Sequence, residues 1–299
     1  MTTATCDYCL SALGRTLIAT DRNRRITAAE FEYARCSVCD SWSMVTRPGN
    51  VGEYYPDNYI PRRTATELRS SFAAERYRIE FLTRHGVLPG ARVVEVGPGD
   101  GSFAALATDA GMQVAIVERT EEACAHLSDL LGVEAVCSSS PESVLGHFGS
   151  IDAIVAWHVL EHLPCPREFL EASAAALRPG GLLVIAAPNP RATTFRIMGA
   201  RWPHLDAPRH HSLPDPRGIA RALPTSMECI EITDRDPGSR HWEGFAWHYL
   251  LRNPATSKRT DRALQLAGAA VAKGSFAVRR SGLGGSAYTA VYRKADSAL

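Results

Sequence analysis

Short apolar runs, each broken off by glycine, proline or a charged residue, recur through the middle of this chain of 299 residues. The clearest are Val93-Val94-Glu95-Val96, Gln113-Val114-Ala115-Ile116-Val117, Ile151-Asp152-Ala153-Ile154-Val155-Ala156 and Leu182-Leu183-Val184-Ile185-Ala186-Ala187. Nearly unbroken apolar runs of this length read as strands buried on both faces of a parallel sheet. A helical pattern reaching Leu177 and the breaker Arg178-Pro179-Gly180-Gly181 separate the last two. Residues 227–232 and 287–292 alternate instead, as strands with one polar face do, and so do residues 30–35 near the N-terminus. The order predicts an α/β protein with a doubly wound, Rossmann-like sheet.

The first strand runs straight into Gly97-Pro98-Gly99-Asp100-Gly101, and Glu118 ends the second. Alternate glycines let the main chain turn sharply and let a flat ligand approach it, while an acid at the end of the next strand suits the two hydroxyls of a ribose. A dinucleotide site would read G-x-G-x-x-G and would present free N–H groups to a pyrophosphate. Here Pro98 removes a donor, and Asp100 and Glu95 place carboxylates at the loop, a rim better suited to a cationic ligand. The segment resembles motif I of the class I S-adenosylmethionine (SAM)-dependent methyltransferases. That resemblance implies SAM as cofactor, with Gly97, Gly99 and Gly101 lining its methionine end, Glu95 behind them and Glu118 on the ribose. The strand ending in Ala156 and Trp157, the helix, the Pro-Gly-Gly breaker and the strand ending at Asn189 resemble motifs IV to VI of the same family. The likeness spans residues 91–189 and implies a seven-stranded sheet, with 227–232 and 287–292 as the sixth and the antiparallel seventh strands. Where many members carry an Asp for the adenine amine, this chain has Cys137-Ser138-Ser139-Ser140-Pro141.

Four of the eight cysteines form two C-x-x-C pairs, Cys6/Cys9 and Cys36/Cys39. Such pairs supply the four thiolates of a structural zinc site, with disulfides as the alternative. The gap between pairs is long, so a β-ribbon is expected there. With four protein ligands, no position remains for a metal-bound water, so the zinc would be structural. The module resembles the cysteine-rich N-terminal segment of sugar and natural-product methyltransferases. Zinc ribbons also precede some ribosomal-RNA methyltransferases, but few bases cluster here. The cysteines at 124, 137, 165 and 229 read as packing residues.

An acceptor hydroxyl, phenol or acidic carbon needs a base near the sulfonium. His158 follows the fourth strand, at the carboxyl end where such sheets bind ligands, with Glu161 and His162 one helical turn on. The run His158-Val159-Leu160-Glu161-His162 resembles the corresponding run of the ubiquinone-pathway O-methyltransferases. In that group these side chains sit near the reacting centre, and some members bind a divalent ion there. Between the fifth strand and the next helix, Trp202-Pro203-His204-Leu205-Asp206-Ala207-Pro208-Arg209-His210-His211 reads as a substrate loop. In it His210 is a second candidate base, and Arg209, with His211, a clamp for a carboxylate or phosphate. Tyr55 and Tyr59, clustered after the cysteine module, are candidate pocket walls.

Lys and Arg number 33 against 32 Asp and Glu, but residues 91–190 hold 4 bases against 13 acids and residues 191–299 hold 17 against 9. An acidic cofactor region beside a basic C-terminal third points to an anionic acceptor or surface there, with a plain solvated basic face as the alternative. No apolar run reaches the ~18 residues of a membrane span, and Met1 leads into polar residues, so a cytoplasmic location is expected. The expected organisation is a cysteine module at 1–58, a helical linker or lid at 59–90, and a SAM-binding core at 91–236 with a lid insert at about 191–216. A cap insert and final strand fill 237–299, with an aromatic stretch and a small-residue helix at 262–273. This insert would cover the substrate, meet a carrier protein or build a homodimer. The expected function is SAM-dependent methylation of a small oxygenated acceptor, a sugar, phenol or polyketide-like molecule, free or on a carrier. An RNA methyltransferase and a non-catalytic SAM-binding scaffold are the alternatives.

Overall fold

A computed structural model describes residues 4–56, 59–251, 258–278 and 282–296. Residues 57–58 of the tyrosine stretch and parts of the C-terminal insert lie outside them. An N-terminal ribbon pairs β1 (Leu13–Thr20) antiparallel with β2 (Glu30–Cys36), and β3 (Trp42–Met44) continues it. Helix α1 (Ala65–Thr83) follows, closed at its start by a capping box in which Thr64 and Glu67 satisfy each other's backbone donors. The core then alternates: β4 (Arg92–Val96), α2 (Ser102–Asp109), β5 (Gln113–Glu118), α3 (Glu121–Leu131), β6 (Glu134–Cys137), β7 (Ile151–Trp157), α4 (Pro166–Ala176) and β8 (Leu177–Pro188). The remainder comprises α5 (Thr193–Met198), β9 (Ser212–Leu213), α6 (Pro216–Ala222), β10 (Met227–Thr233), α7 (Pro237–Leu251), α8 (Lys258–Val278) and β11 (Ala287–Lys294).

The main sheet has the order β10-β11-β8-β7-β4-β5-β6, parallel except for β11, which is antiparallel to both β8 and β10. Period-two alternation splits its side chains between two layers. Val93, Ile116, Val155 and Val184 pack beneath Phe81 of α1 and Phe103 of α2. Val94, Ala115, Ile154 and Ile185 pack against Phe169 of α4 and Ile219 of α6, and this layer continues to Cys6, Tyr8, Cys36 and Cys39. The cysteine module is therefore part of the core rather than an appendage.

Four expectations change. The Arg178-Pro179-Gly180-Gly181 breaker lies inside β8, where Leu177 pairs with Ile151 and Leu182 with Ala153, so the intervening residues bulge out. The run from His158 to His162 ends in a single 3-10 turn, Leu160–His162, and α4 begins only at Pro166. Pro164 and Pro166 account for this, because a residue before proline avoids the α region and Pro suits a helix's first position. Cys124 is buried as a packing residue should be, but Cys137, Cys165 and Cys229 are exposed. The 191–216 insert does not hang free, because its β9 strand joins the ribbon as a fourth strand against β3.

Candidate active site

The loop after β4 carries Gly97, Gly99 and Gly101 at φ of +64°, +59° and +82°, a region L side chains rarely occupy. A Cβ on Gly97 would lie 2.7 Å from Val159, and one on Gly101 2.7 Å from Leu127, so both glycines also serve packing. Gly99 alone faces open space, the side from which a ligand can approach. Asp100 accepts from the Ser102 N–H (3.0 Å) and pairs with Arg63 (2.8 Å), tying the loop to the chain before α1.

Glu95 is buried beside this loop, and its Oε2 has no hydrogen-bond partner. Burial pushes its carboxyl up to about 8, against the pull of the nearby Arg78 charge. Arg78, on α1, lies over the Trp157 ring at 5.1 Å from its centre. Nothing in the local sequence marked it, because only the packing of α1 onto the sheet brings it there. Trp157 is buried among Phe103, Phe81 and Tyr77, while Ala156 points into the opposite layer. Glu118, at the end of β5, is buried and accepts from the Arg119 N–H at 2.7 Å.

Beyond β7 the chain reverses at His158, whose φ of +57° is unusual for a non-glycine residue. Its N–H donates to the Ala186 carbonyl (2.9 Å) and its ring rests on Trp242 of α7, 5.1 Å between centres. About a quarter of its side chain stays exposed, and His158 Nδ1 lies 3.4 Å from Glu161 Oε1. Crowding by protein depresses the imidazole to about 3, with the Arg78 charge adding to the effect. Glu161 is fully buried, both its carboxylate oxygens lack hydrogen-bond partners, and burial raises its carboxyl.

His162 and His210 complete this cluster, with ring centres 4.5 Å apart. His162 Nδ1 meets the Arg209 carbonyl at 3.0 Å and His210 Nδ1 the His204 carbonyl at 2.9 Å. A carbonyl only accepts, so both Nδ1 atoms carry the proton and both Nε2 atoms keep lone pairs. Tyr55 Oη, 2.9 Å from His162 Nδ1, joins the wall, and Tyr59 packs edge-on against Tyr55. Burial depresses His162 to about 4 and also lowers His210. The donor atoms of Glu161, His162 and His210 lie within 4.8 Å of one another.

Two readings of the insert do not fit this geometry. Arg209 is no substrate clamp: its side chain is completely buried and donates to Asp21 (2.7 Å), to both oxygens of Asp206 (2.8 and 2.9 Å) and to the Tyr54 carbonyl (3.1 Å). His211 is buried too, its N–H held by the Glu161 carbonyl and its carbonyl by the Met44 N–H, so it braces the cluster from behind.

The second cluster is the cysteine one. Cys6 and Cys39 sulfurs stand 3.5 Å apart and Cys9 and Cys36 3.4 Å, all four within 4.8 Å, and all are free thiols. Disulfide sulfurs would sit near 2.05 Å, whereas a tetrahedral zinc with Zn–S near 2.3 Å needs spacings of this larger kind. The hydrogen bond between Cys6 and Cys39 pushes Cys39 down and Cys6 up, as two thiols that share one proton do.

A family model described as a methyltransferase domain matches residues 67–225, which carry the glycine loop, Glu118, the His158–His162 run and the insert. The chain belongs to the methyltransferase-domain family. It is a class I SAM-dependent methyltransferase, with the seven-stranded sheet expected of one. A ubiquinone biosynthesis O-methyltransferase of Burkholderia pseudomallei is 25% identical over 197 residues, 62% of this methyltransferase and 80% of its relative. One from Xanthomonas campestris pv. campestris is 31% identical over 132 residues, 42% of this chain and 55% of the other. A solved SAM-dependent methyltransferase from Archaeoglobus fulgidus covers 76% of this methyltransferase and 94% of its own chain, at 18% identity and a TM-score of 0.46. No helix among the described residues of the methyltransferase is long and apolar enough to cross a membrane.

Proposed function

We propose that the enzyme methylates an oxygen of a small-molecule acceptor, with His158 as general base and the buried Glu161 carboxyl standing beside its imidazole. One observation carries the reading: a partly exposed imidazole beyond β7 backed by a buried carboxylate at 3.4 Å. Methyl transfer to a hydroxyl moves positive charge from sulfur to the base that takes the proton, so a carboxylate behind that base stabilises the charge where it arrives. The names of the relatives, O-methyltransferases, support oxygen as the acceptor atom. The cysteine module spends its aromatic groups inside this chain, Tyr8 Oη on Ser212 and Tyr33 Oη donating to the His210 carbonyl, which favours a small acceptor over RNA. The test is label transfer from methyl-labelled SAM to a panel of phenols and sugars beside transfer and ribosomal RNA. Label on small hydroxyl acceptors is expected, and label on RNA alone would refute the reading.

SAM would lie over Gly99, its ribose on Glu118 and its methionine end between Arg78, for the carboxylate, and Glu95, for the ammonium. Glu95, with its carboxyl raised to about 8, is mostly protonated at neutral pH in the free protein. A cationic ligand beside it favours ionisation, so binding at pH 7 should release close to one proton. Affinity should climb by up to about tenfold per unit between pH 6 and 8 and then level off. Calorimetry in two buffers of different ionisation heat measures this, and a buffer-independent heat would remove Glu95 from the site.

Cys6, Cys9, Cys36 and Cys39 would hold a structural zinc, whose chemistry is that of a cross-link. Cys36→Ser should drop the bound zinc from about one equivalent per chain to below a tenth, read by elemental analysis. Unchanged metal content would disprove the four-thiolate site. Glu161, His162 and His210 fit the divalent ion that the resemblance implies for some relatives, through two imidazole lone pairs and an unpartnered carboxylate. Such an ion would polarise an acceptor oxygen.

A further inference from the structure

With Arg209 committed to Asp21 and Asp206, an anionic acceptor needs another receiver. We propose that Arg24 and Arg119 form an anion-binding rim at the mouth of the crevice, taking a phosphoryl or carboxylate group carried by the acceptor. This rests on the methyl-transfer reading above and names the class of acceptor.

Arg119 lies over the Tyr55 ring at 4.7 Å from its centre and Arg24 over the Tyr59 ring at 5.0 Å, and the two rings touch at 4.8 Å. Both arginines are exposed, and neither has a carboxylate partner among the described residues. Their neighbours differ: Arg62 pairs with Glu122 and Arg63 with Asp100. A guanidinium stacked on a ring has its face covered while its edge N–H groups stay free, the geometry that forks onto a phosphoryl or carboxylate group.

The rim is also positioned from below. Asp21, gripped by Arg209, accepts from the Arg24 N–H (3.1 Å) and the Ile26 N–H (2.9 Å), which shapes the turn that presents Arg24. The same guanidinium donates to the Tyr54 carbonyl, beside Tyr55. On the third side Glu118 accepts from the Arg119 N–H, so Arg119 leaves the cofactor strand at the proposed ribose acid. From the rim Tyr55 Oη reaches His162 directly, so a single side chain links the rim to the histidine cluster. Three segments far apart in sequence thus converge on two cations that have no carboxylate partner among the described residues, and one buried ion-pair network holds two of those segments.

The experiment uses the full chain saturated with S-adenosylhomocysteine, titrated at constant ionic strength with inorganic pyrophosphate and, separately, with benzoate. Saturable binding of at least one is expected, pyrophosphate marking a phosphoryl handle and benzoate a carboxylate. Arg24→Gln or Arg119→Gln should each weaken it about tenfold and the double variant about a hundredfold, as loss of charge-assisted hydrogen bonds predicts. Arg22→Gln, an exposed arginine on the same turn, should change nothing. S-adenosylhomocysteine affinity should be the same in every variant. If it binds but neither anion does below about 10 mM, or the double variant binds as the parent does, the rim is overturned and the methyl-transfer reading stands. Loss of S-adenosylhomocysteine binding in the parent would instead strike that reading itself.

Discussion

His158→Ala should lower kcat by about three orders of magnitude, within the 10²–10⁴ range of a general base, while leaving SAM affinity unchanged. The expectation follows from position. The imidazole stands past the end of β7, partly exposed, and Glu161 is the buried group beside its Nδ1. Glu161→Gln keeps the shape and removes the charge, so a smaller fall, about a hundredfold, is expected. The pH profile separates this role from mere packing. Burial and Arg78 hold His158 near 3, so the proton-accepting form persists far below the usual imidazole range. The His158 contribution to kcat/KM should stay flat from pH 8 down to about 5, where an ordinary histidine would lose activity below 6.5. A His158→Ala enzyme with full turnover would move the base to His210 or remove it.

Arg209→Ala should cost about 3–5 kcal/mol of stability, the loss seen when one partner of a buried ion pair is removed. For a protein of this size that is about 5–8 °C in Tm. Asp21 and Arg209 are both fully buried, and the cut would leave Asp21 and Asp206 facing each other's charge with only backbone donors and Asn23. Burial alone would raise Asp21, but the Arg209 and backbone hydrogen bonds outweigh it and hold the carboxyl below its ordinary range; Asp206 is held low for a similar reason. Their stabilisation is therefore present above the unfolded carboxylate pKa and lost as pH falls through the depressed folded values. Histidines add a second acid limb. His158 and His204 near 3, and His162 and His211 near 4, stay neutral when folded but take up protons near 6.5 when unfolded. Stability of the parent should thus decline from about pH 6.5 downward. Thermal melts from pH 4 to 8 should show that decline in both proteins, with the variant lower throughout. Equal Tm values at pH 7 would mean the network does not hold the insert. If the alanine variant fails to fold, Asp21→Asn, which leaves Asp206 on Arg209, should show about half the loss.

The parts legible in the sequence were those written in short-range patterns. Glycines at alternate positions after a β-branched run need no tertiary context to declare a βα turn, and their φ values agree. Apolar runs too short for helices and the alternation at 227–232 and 287–292 marked strands, because burial on one face or two leaves its own periodicity; that they form a seven-stranded sheet was what the family resemblance implied. Paired C-x-x-C knuckles carry their geometry in a spacing of three, and their four sulfurs do gather. His158 and Glu161 were marked by place, since the carboxyl end of a parallel strand faces the crevice whatever surrounds it.

Tertiary structure alone decided which polar residues meet across long separations. Arg209 reaches Asp21 over 188 positions, and this turns an apparent surface clamp into a buried brace. The three-histidine stretch read as a substrate loop, and it is the pairing of β3 with β9 that ties it to the ribbon and the tertiary packing that sets His210 against His162. Arg78 sits on a helix whose own pattern says nothing of Glu95 or Trp157, and the tyrosine–arginine rim joins residues 24, 55, 59 and 119. Local sequence sets the conformation of a segment through backbone sterics and periodic burial. Which charges are neutralised and which remain free for a ligand depends on the register in which those segments pack, and that is settled only when the whole core closes.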